Sequence, residues 1–153
     1  SIKEKEMTFG NVLQNYYLWV PISIWLLIQI WKFIWDMIVN KRINLRRLLG
    51  AGGMPSSHSA VVTSLATLIG YYEGLDSAIF ALSVIFALVV MYDAAGVRRA
   101  AGKQARILNQ ILNTKNMAGV TVHEKLIELL GHTPFEVAVG AVVGICYALI
   151  IVL

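Results

Sequence analysis

Three stretches of the chain hold residues that can do chemistry. The first, Gly52-Gly53-Met54-Pro55-Ser56-Ser57-His58-Ser59-Ala60, is a glycine-rich turn that runs into an apolar segment. Glycines let backbone approach a ligand, a serine can cap the helix that follows, and the N–H groups of the first turn point at whatever precedes them. Such a turn holds an anion, or it is an ordinary capped helix start with His58 at the lipid interface. The second, Gly131-His132-Thr133-Pro134-Phe135-Glu136-Val137, sets a histidine and a carboxylate four apart. On a helix the two share a face, so Glu136 can hold one imidazole nitrogen while the other acts as nucleophile or base. The plainer reading makes His132 a cap and Glu136 a partner for the helix N-terminus. The third stretch, Tyr92 to Gln104, offers Arg98 and Arg99 to fork onto phosphate oxygens and Asp93 to orient a basic side chain. Its plainer reading is a basic flank with a solvated acid, and that reading suffices for Arg106, Lys115 and Lys125.

The elements that must position these residues are membrane helices. The 153 residues are 58% hydrophobic and 14% charged, with mean hydropathy +0.68, which is lipid-solvated composition rather than that of a soluble domain. The chain reads as one all-α domain, 1–153, an integral membrane bundle of about four transmembrane helices with one or two short amphipathic helices. The spans run from about Tyr16 to Val39, Ser59 to Tyr72, Leu75 to Tyr92 and Val137 to Leu153. The second reaches across a hydrocarbon core of about 30 Å only if its start is counted from Ser56 or Ser57. The first is too long, and too closely preceded by mixed charge, for a cleaved leader, and reads as a permanent helix.

Between the third and fourth spans, alternation from Val97 to Leu112 predicts an amphipathic helix near the membrane surface, and a second short helix is expected over Val122–Leu130, with a break at Gly119. Gly131 and Thr133-Pro134 read as a stop and a fresh helix start. Cys146, the single cysteine, reads as a small packing residue.

Alternate crossings leave Lys3 and Lys5 on one side. Lys41, Arg42, Arg46, Arg47, Arg98, Arg99, Lys103, Arg106, Lys115 and Lys125 fall on the other, with Lys32 inside a helix and left out of the count. The excess of basic residues places that second side in the cytoplasm. It also accounts for the net charge of +4 without nucleic acid as a partner. The second and third spans form an out-and-back pair, so all three chemical stretches return to this one face. Two histidines, a carboxylate, several arginines and an anion-holding turn are the parts of phosphoryl transfer through a phosphohistidine.

These residues resemble the type 2 phosphatidic acid phosphatase and vanadium haloperoxidase superfamily, and more closely its small divergent membrane branch. Pro55-Ser56-Ser57-His58 matches that family's Pro-Ser-Gly-His, with Ser for Gly. His132-x-x-x-Glu136-Val137-x-x-Gly140 matches its closing His-x-x-x-Asp segment with Glu for Asp, and the basic run Lys41, Arg42, Arg46, Arg47 loosely matches its opening Lys and Arg. Arg98 and Arg99 stand farther before His132 than the family's Arg stands before its His. The resemblance implies that His132 is the nucleophile, that Glu136 fixes its tautomer and that His58 protonates the leaving oxygen. Lys41, Arg46, Arg47, Arg98, Arg99, Asp93 and the Ser56 and Ser57 N–H groups would then hold the phosphate, no metal would be required, and the substrate would be a lipid or prenyl phosphate with its tail between helices.

Two other readings stay open. One is a lipid-phosphate binder or transporter that uses the same basic pocket without cleavage. The other is a metal site built from His58, His132, Glu136 and Asp93. Gly70-x-x-x-Gly74 and Gly140-x-x-x-Gly144 offer surfaces for close helix contact, and a homo-oligomer is expected from them.

Overall fold

In the computed structural model, residues 12, 14–41, 53–114 and 131–153 are described, apart from the side chains of 98, 99 and 111–114. They form five helices: α1 (Tyr16–Asn40), α2 (Ser57–Glu73), α3 (Ala78–Ala95), α4 (Val97–Thr114) and α5 (Pro134–Val152), with no strand among the described residues. The second surface helix expected over Val122–Leu130, the Gly119 break, Arg46 and Arg47 lie outside them.

Among the described residues, three helices are long and apolar enough to cross a membrane: α1, α3 with its continuation into α4, and α5. The protein is an integral membrane helical bundle. α2, at 17 residues, spans about 25 Å and falls short of a full crossing by length. It is nevertheless the centre of the bundle, packing against α5, α3 and α1.

Sequence sets each helix end. Asn15, Ser56, Ser77 and Thr133 are N-caps whose side chains accept backbone N–H groups of the first turn. The cap at Ser77 moves the start of α3 to Ala78, so Leu75 and Asp76 belong to the turn rather than the span. Gly74 permits that turn, with φ +90°, where an L side chain would be strained. α3 passes into α4 through the single residue Gly96. The amphipathic helix expected over 97–112 is thus present as α4.

The helix directions follow from their contacts. Tyr17 at the start of α1 donates its hydroxyl to Glu73 at the end of α2, 2.6 Å away, so those two helices are antiparallel. α2 and α5 run parallel: Ser56 meets Glu136 and Gly140, Ala60 meets Gly144, and Leu68 packs with Ala148. A Cβ on Gly140 would collide with the Ser56 backbone, and one on Gly144 with Ala60 and Thr63. The glycine pair expected to serve an oligomer is therefore consumed inside the protomer, because only hydrogen at these positions lets α5 close on α2. Gly70 likewise lies under the Phe80 ring, and Gly74 is a cap. Cys146 is exposed on α5, not packed inside. The outer surface is Leu, Ile, Val, Phe and Trp, as lipid contact requires.

Candidate functional site

Three helix ends and the C-terminal half of α1 meet at one end of the bundle. α2 starts there with Ser56 and His58, and α5 starts there with His132 and Glu136 just before and inside it. α3 ends there at Asp93 and Ala94, and α1 brings Lys32 and Asp36 along the Gly53–Pro55 turn.

His132 is built in from two sides. Its backbone N–H donates to the Ala94 carbonyl (3.2 Å), which fixes the segment before α5 to the last turn of α3. Its ring nitrogen Nδ1 stands 3.3 Å from Glu136 Oε2, and the residue is 3% exposed. Their spacing of four predicts both residues on one helical face. The structure makes the same pair differently, with His132 outside the helix, one residue before the Thr133 cap. Glu136 reaches back as the third residue of a capping box: Oε2 accepts the Thr133 N–H at 2.9 Å while the Glu136 N–H donates to Thr133 Oγ1 at 3.3 Å. The capping reading and the pairing reading are therefore one arrangement. A carboxylate fixed by the backbone N–H is a rigid partner for Nδ1, and an imidazole with its proton on Nδ1 keeps a lone pair on Nε2.

His58 comes from 74 residues away in sequence. Its ring centroid is 6.4 Å from that of His132, with the planes tilted by 60°. One small tetrahedral group spans such a gap. His58 sits in the first turn of α2, beside Ser57, and the first intrahelical bond there is Ala60 N–H to the Ser56 carbonyl. N–H groups ahead of that bond point out of the helix end.

Ser56 is different from the expectation. It is fully buried, its N–H donates to the Glu136 carbonyl (3.2 Å), and its hydroxyl receives Ser59 Oγ at 3.0 Å. That N–H joins the two histidine-bearing helix starts to each other instead of facing a ligand. Gly53, at φ +81°, and the cis Met54–Pro55 peptide shape the turn ahead of it.

Lys32, inside a membrane helix and so outside the count of flanking charge, is the cation the structure adds. It is 6% exposed in α1 and lines a cavity of about 410 Å³ with Trp31, Trp35, Asp36, Gly53, Met54 and Pro55. The signal was present: a lysine amid an apolar helix is costly to keep in a membrane unless it faces a polar interior. Lys41, by contrast, is the exposed left-handed cap of α1, roughly 13 Å along the axis from Lys32. Asp93 is half-buried in the last turn of α3. Arg98 and Arg99 open α4, one turn beyond Ala94. Among the described residues, no group of three or more His, Cys, Asp or Glu is arranged as a metal would require.

The sequence profile of the divergent PAP2 family matches residues 13–147. The chain belongs to the divergent PAP2 family. It is 38% identical over 152 residues to the uncharacterized membrane protein YuiD of Bacillus subtilis (strain 168), a match covering 92% of this chain and 96% of that one. No solved structure matches. As a divergent PAP2 protein, the chain carries its His58 and His132 segments inside the matched region.

Proposed function

We propose that this divergent PAP2 protein is a membrane phosphatase that hydrolyses a lipid or prenyl phosphate through a phosphohistidine. The observation that carries the reading is the facing pair His58 and His132, with Glu136 on Nδ1 of the second.

In this reaction Nε2 of His132 attacks phosphorus, and the N–P bond forms as the P–O bond to the lipid alcohol breaks. His58 gives its proton to the departing oxygen. Water then attacks the phosphohistidine, His58 takes the water's proton, and the N–P bond breaks to release phosphate. Glu136 holds the His132 tautomer and balances the positive charge that develops on its ring. Lys32 and the Ser57 N–H hold the phosphoryl oxygens, with Arg98 or Arg99 completing the cradle; Arg46, Arg47, Lys41 and Asp93 supply the surrounding field. The excess of basic residues on this side supports a cytoplasmic site.

The test is phosphate release by the purified protein in vesicles, against a panel of lipid and prenyl phosphates, with chelator present. Wild type is expected to release phosphate. His132→Ala and His58→Ala are each expected to lower the rate by about 10³ or more, as loss of a nucleophile or of its proton donor does elsewhere. Wild-type head-group binding without release, kept in His132→Ala, would replace the phosphatase with a binder or transporter.

A further inference from the structure

The face that α1 turns into the bundle changes character along its length. Val20, Pro21, Ile24 and Ile28 are buried and apolar, and the next two buried positions are Gln29 and Lys32, at 4% and 6% exposure. A polar side chain is costly in a membrane helix and turns to a polar interior. Lys32 does so at the cavity beside Gly53, Met54 and Pro55. Gln29 stands nearly one turn before it on the same helix.

The level of Gln29 follows from the α1–α2 seam. Tyr17 meets Glu73, Val20 clusters with Leu68, and Ile24 and Ile28 cluster with Ala60. The two helices are antiparallel, so the residue after Ile28 stands beside the residues just before Ala60, which are Ser57, His58 and Ser59. The flank follows from α5. Ser23 meets Tyr147 of α5 at 2.7 Å, and at 100° per residue Gln29 lies roughly 120° round from it and Lys32 roughly 180°. On α2, Ser56 and Ala60 meet α5, and His58 lies roughly 160° round from both. Gln29, Lys32 and His58 thus border the same side of the seam, the side away from α5.

Ser57 is in the seam itself. It continues the stripe of Ala60, Ser64 and Leu68 that packs on α1, and it is 5% exposed. The other hydroxyls along α2 are spent within the bundle: Ser59 donates to Ser56 Oγ, Thr63 to the Ser59 carbonyl, Ser64 to the Val61 carbonyl and Thr67 to the Thr63 carbonyl. That of Ser57 has no hydrogen-bond partner among the described residues. A buried hydroxyl in that condition costs stability until something takes its proton. Two features therefore meet one residue from His58: a buried amide brought by α1 and a buried hydroxyl with nothing to bond.

We propose that Gln29 is an oxyanion-binding residue of this site: its side-chain amide and the Ser57 hydroxyl donate to oxygens of the phosphoryl group that sits between His58 and His132. The inference deepens the phosphatase reading and rests on its placing of that group. Gln29 supplies a donor without a charge, so it fixes the orientation of the group while Lys32 beside it supplies the attraction. It binds the group before and during the reaction alike, and its loss is felt in KM more than in kcat.

The experiment measures orthovanadate, a phosphate mimic that needs no turnover, by calorimetric titration of the whole chain in detergent micelles, with the unfolding temperature recorded for each variant. Gln29→Met, close in length and volume, and Ser57→Ala are each expected to weaken vanadate about tenfold, as loss of a hydrogen bond to a charged group does. Ser64→Ala, two turns farther along the same stripe, keeps the wild-type affinity. On a lipid phosphate, Gln29→Met is expected to raise KM by a similar factor with kcat within about twofold. Should Gln29→Met not fold, Gln29→Glu, of the same shape but with a repelling carboxylate, decides on the same titration with an expected loss of about a hundredfold.

Gln29→Met with wild-type vanadate affinity, whatever its unfolding temperature, makes Gln29 a packing residue and overturns the inference; phosphate release that persists leaves the phosphatase standing. Ser64→Ala as damaging as Gln29→Met overturns it too, because the whole seam would then act through structure. Wild type that binds no vanadate overturns it outright. Wild type that binds vanadate but releases no phosphate sinks the phosphatase instead, and the loss in Gln29→Met still upholds the oxyanion site.

Discussion

α2 and α3 are joined by a short turn and of nearly equal length, yet they live in different solvents. Ten of the 17 residues of α2 are buried, against three of the 18 in α3. The buried positions of α2 include Ser57, Ser59, Thr63 and Ser64, whereas Leu82, Ile85, Phe86 and Val89 of α3 are more than half exposed. In lipid this is the sensible arrangement. The apolar helix meets the tails, and the helix of small and hydroxylated residues goes inside, where close backbone approach and carbonyl partners are available. Hydropathy therefore marks the periphery of this protein better than its centre.

The sharpest way to break that contrast is to give α5 a side chain where it meets α2. Gly144→Leu drives a branched side chain into the Ala60 backbone and the Thr63 hydroxyl and is expected to cost about 3 kcal/mol or more in unfolding measured by steric trapping in bicelles. The same assay on Thr133→Ala, which deletes half of the capping box at the start of α5, should show a loss of about 1 kcal/mol. Glu136 would also lose its fixed position, so phosphate release should fall further than stability does. Thr63→Val keeps volume and removes the hydroxyl that lies 2.8 Å from the Ser59 carbonyl and 3.1 Å from that of Ala141 on α5, for an expected loss near 0.6 kcal/mol. Smallest of all is Leu82→Ala on the lipid face of α3, expected within about 0.5 kcal/mol of wild type. If Leu82→Ala proved as costly as Thr63→Val, the face of α3 would be an interface between protomers and not a lipid surface.

How much of this was legible beforehand depended on whether the signal was local. The Thr133-Pro134 start, with Glu136 three residues after the cap, is a local pattern, and it holds. The meeting of His58 and His132 followed from counting crossings, which needs only that α2 and α3 form a hairpin. Lys32 was missed because a lysine in a helix was set aside from the tally of flanking charge, although its cost in lipid was the better clue. The glycine pairs were read as oligomer surfaces because spacing alone does not say which helix approaches. Ser56 looked like an anion donor for a similar reason: nothing local reveals that the Glu136 carbonyl takes its N–H. The central position of α2 was hidden by its modest length and polarity, both of which are properties of an inner helix.

The parallel course of α2 and α5 has an electrostatic consequence. Each helix start carries roughly half an elementary positive charge in its peptide dipoles, and here the two starts are adjacent. The negative end of α1 lies elsewhere, since α1 runs on from Lys32 to Asn40, about 12 Å farther, and at the end of α3 the Ala94 carbonyl is taken up by the His132 N–H. The histidine end thus holds a positive potential made of backbone, one that no loss of a surface lysine or arginine removes. An anion seated there lowers the repulsion between the two helix starts, so inorganic phosphate or vanadate should raise the unfolding temperature of the whole bundle even in a variant that cannot turn over.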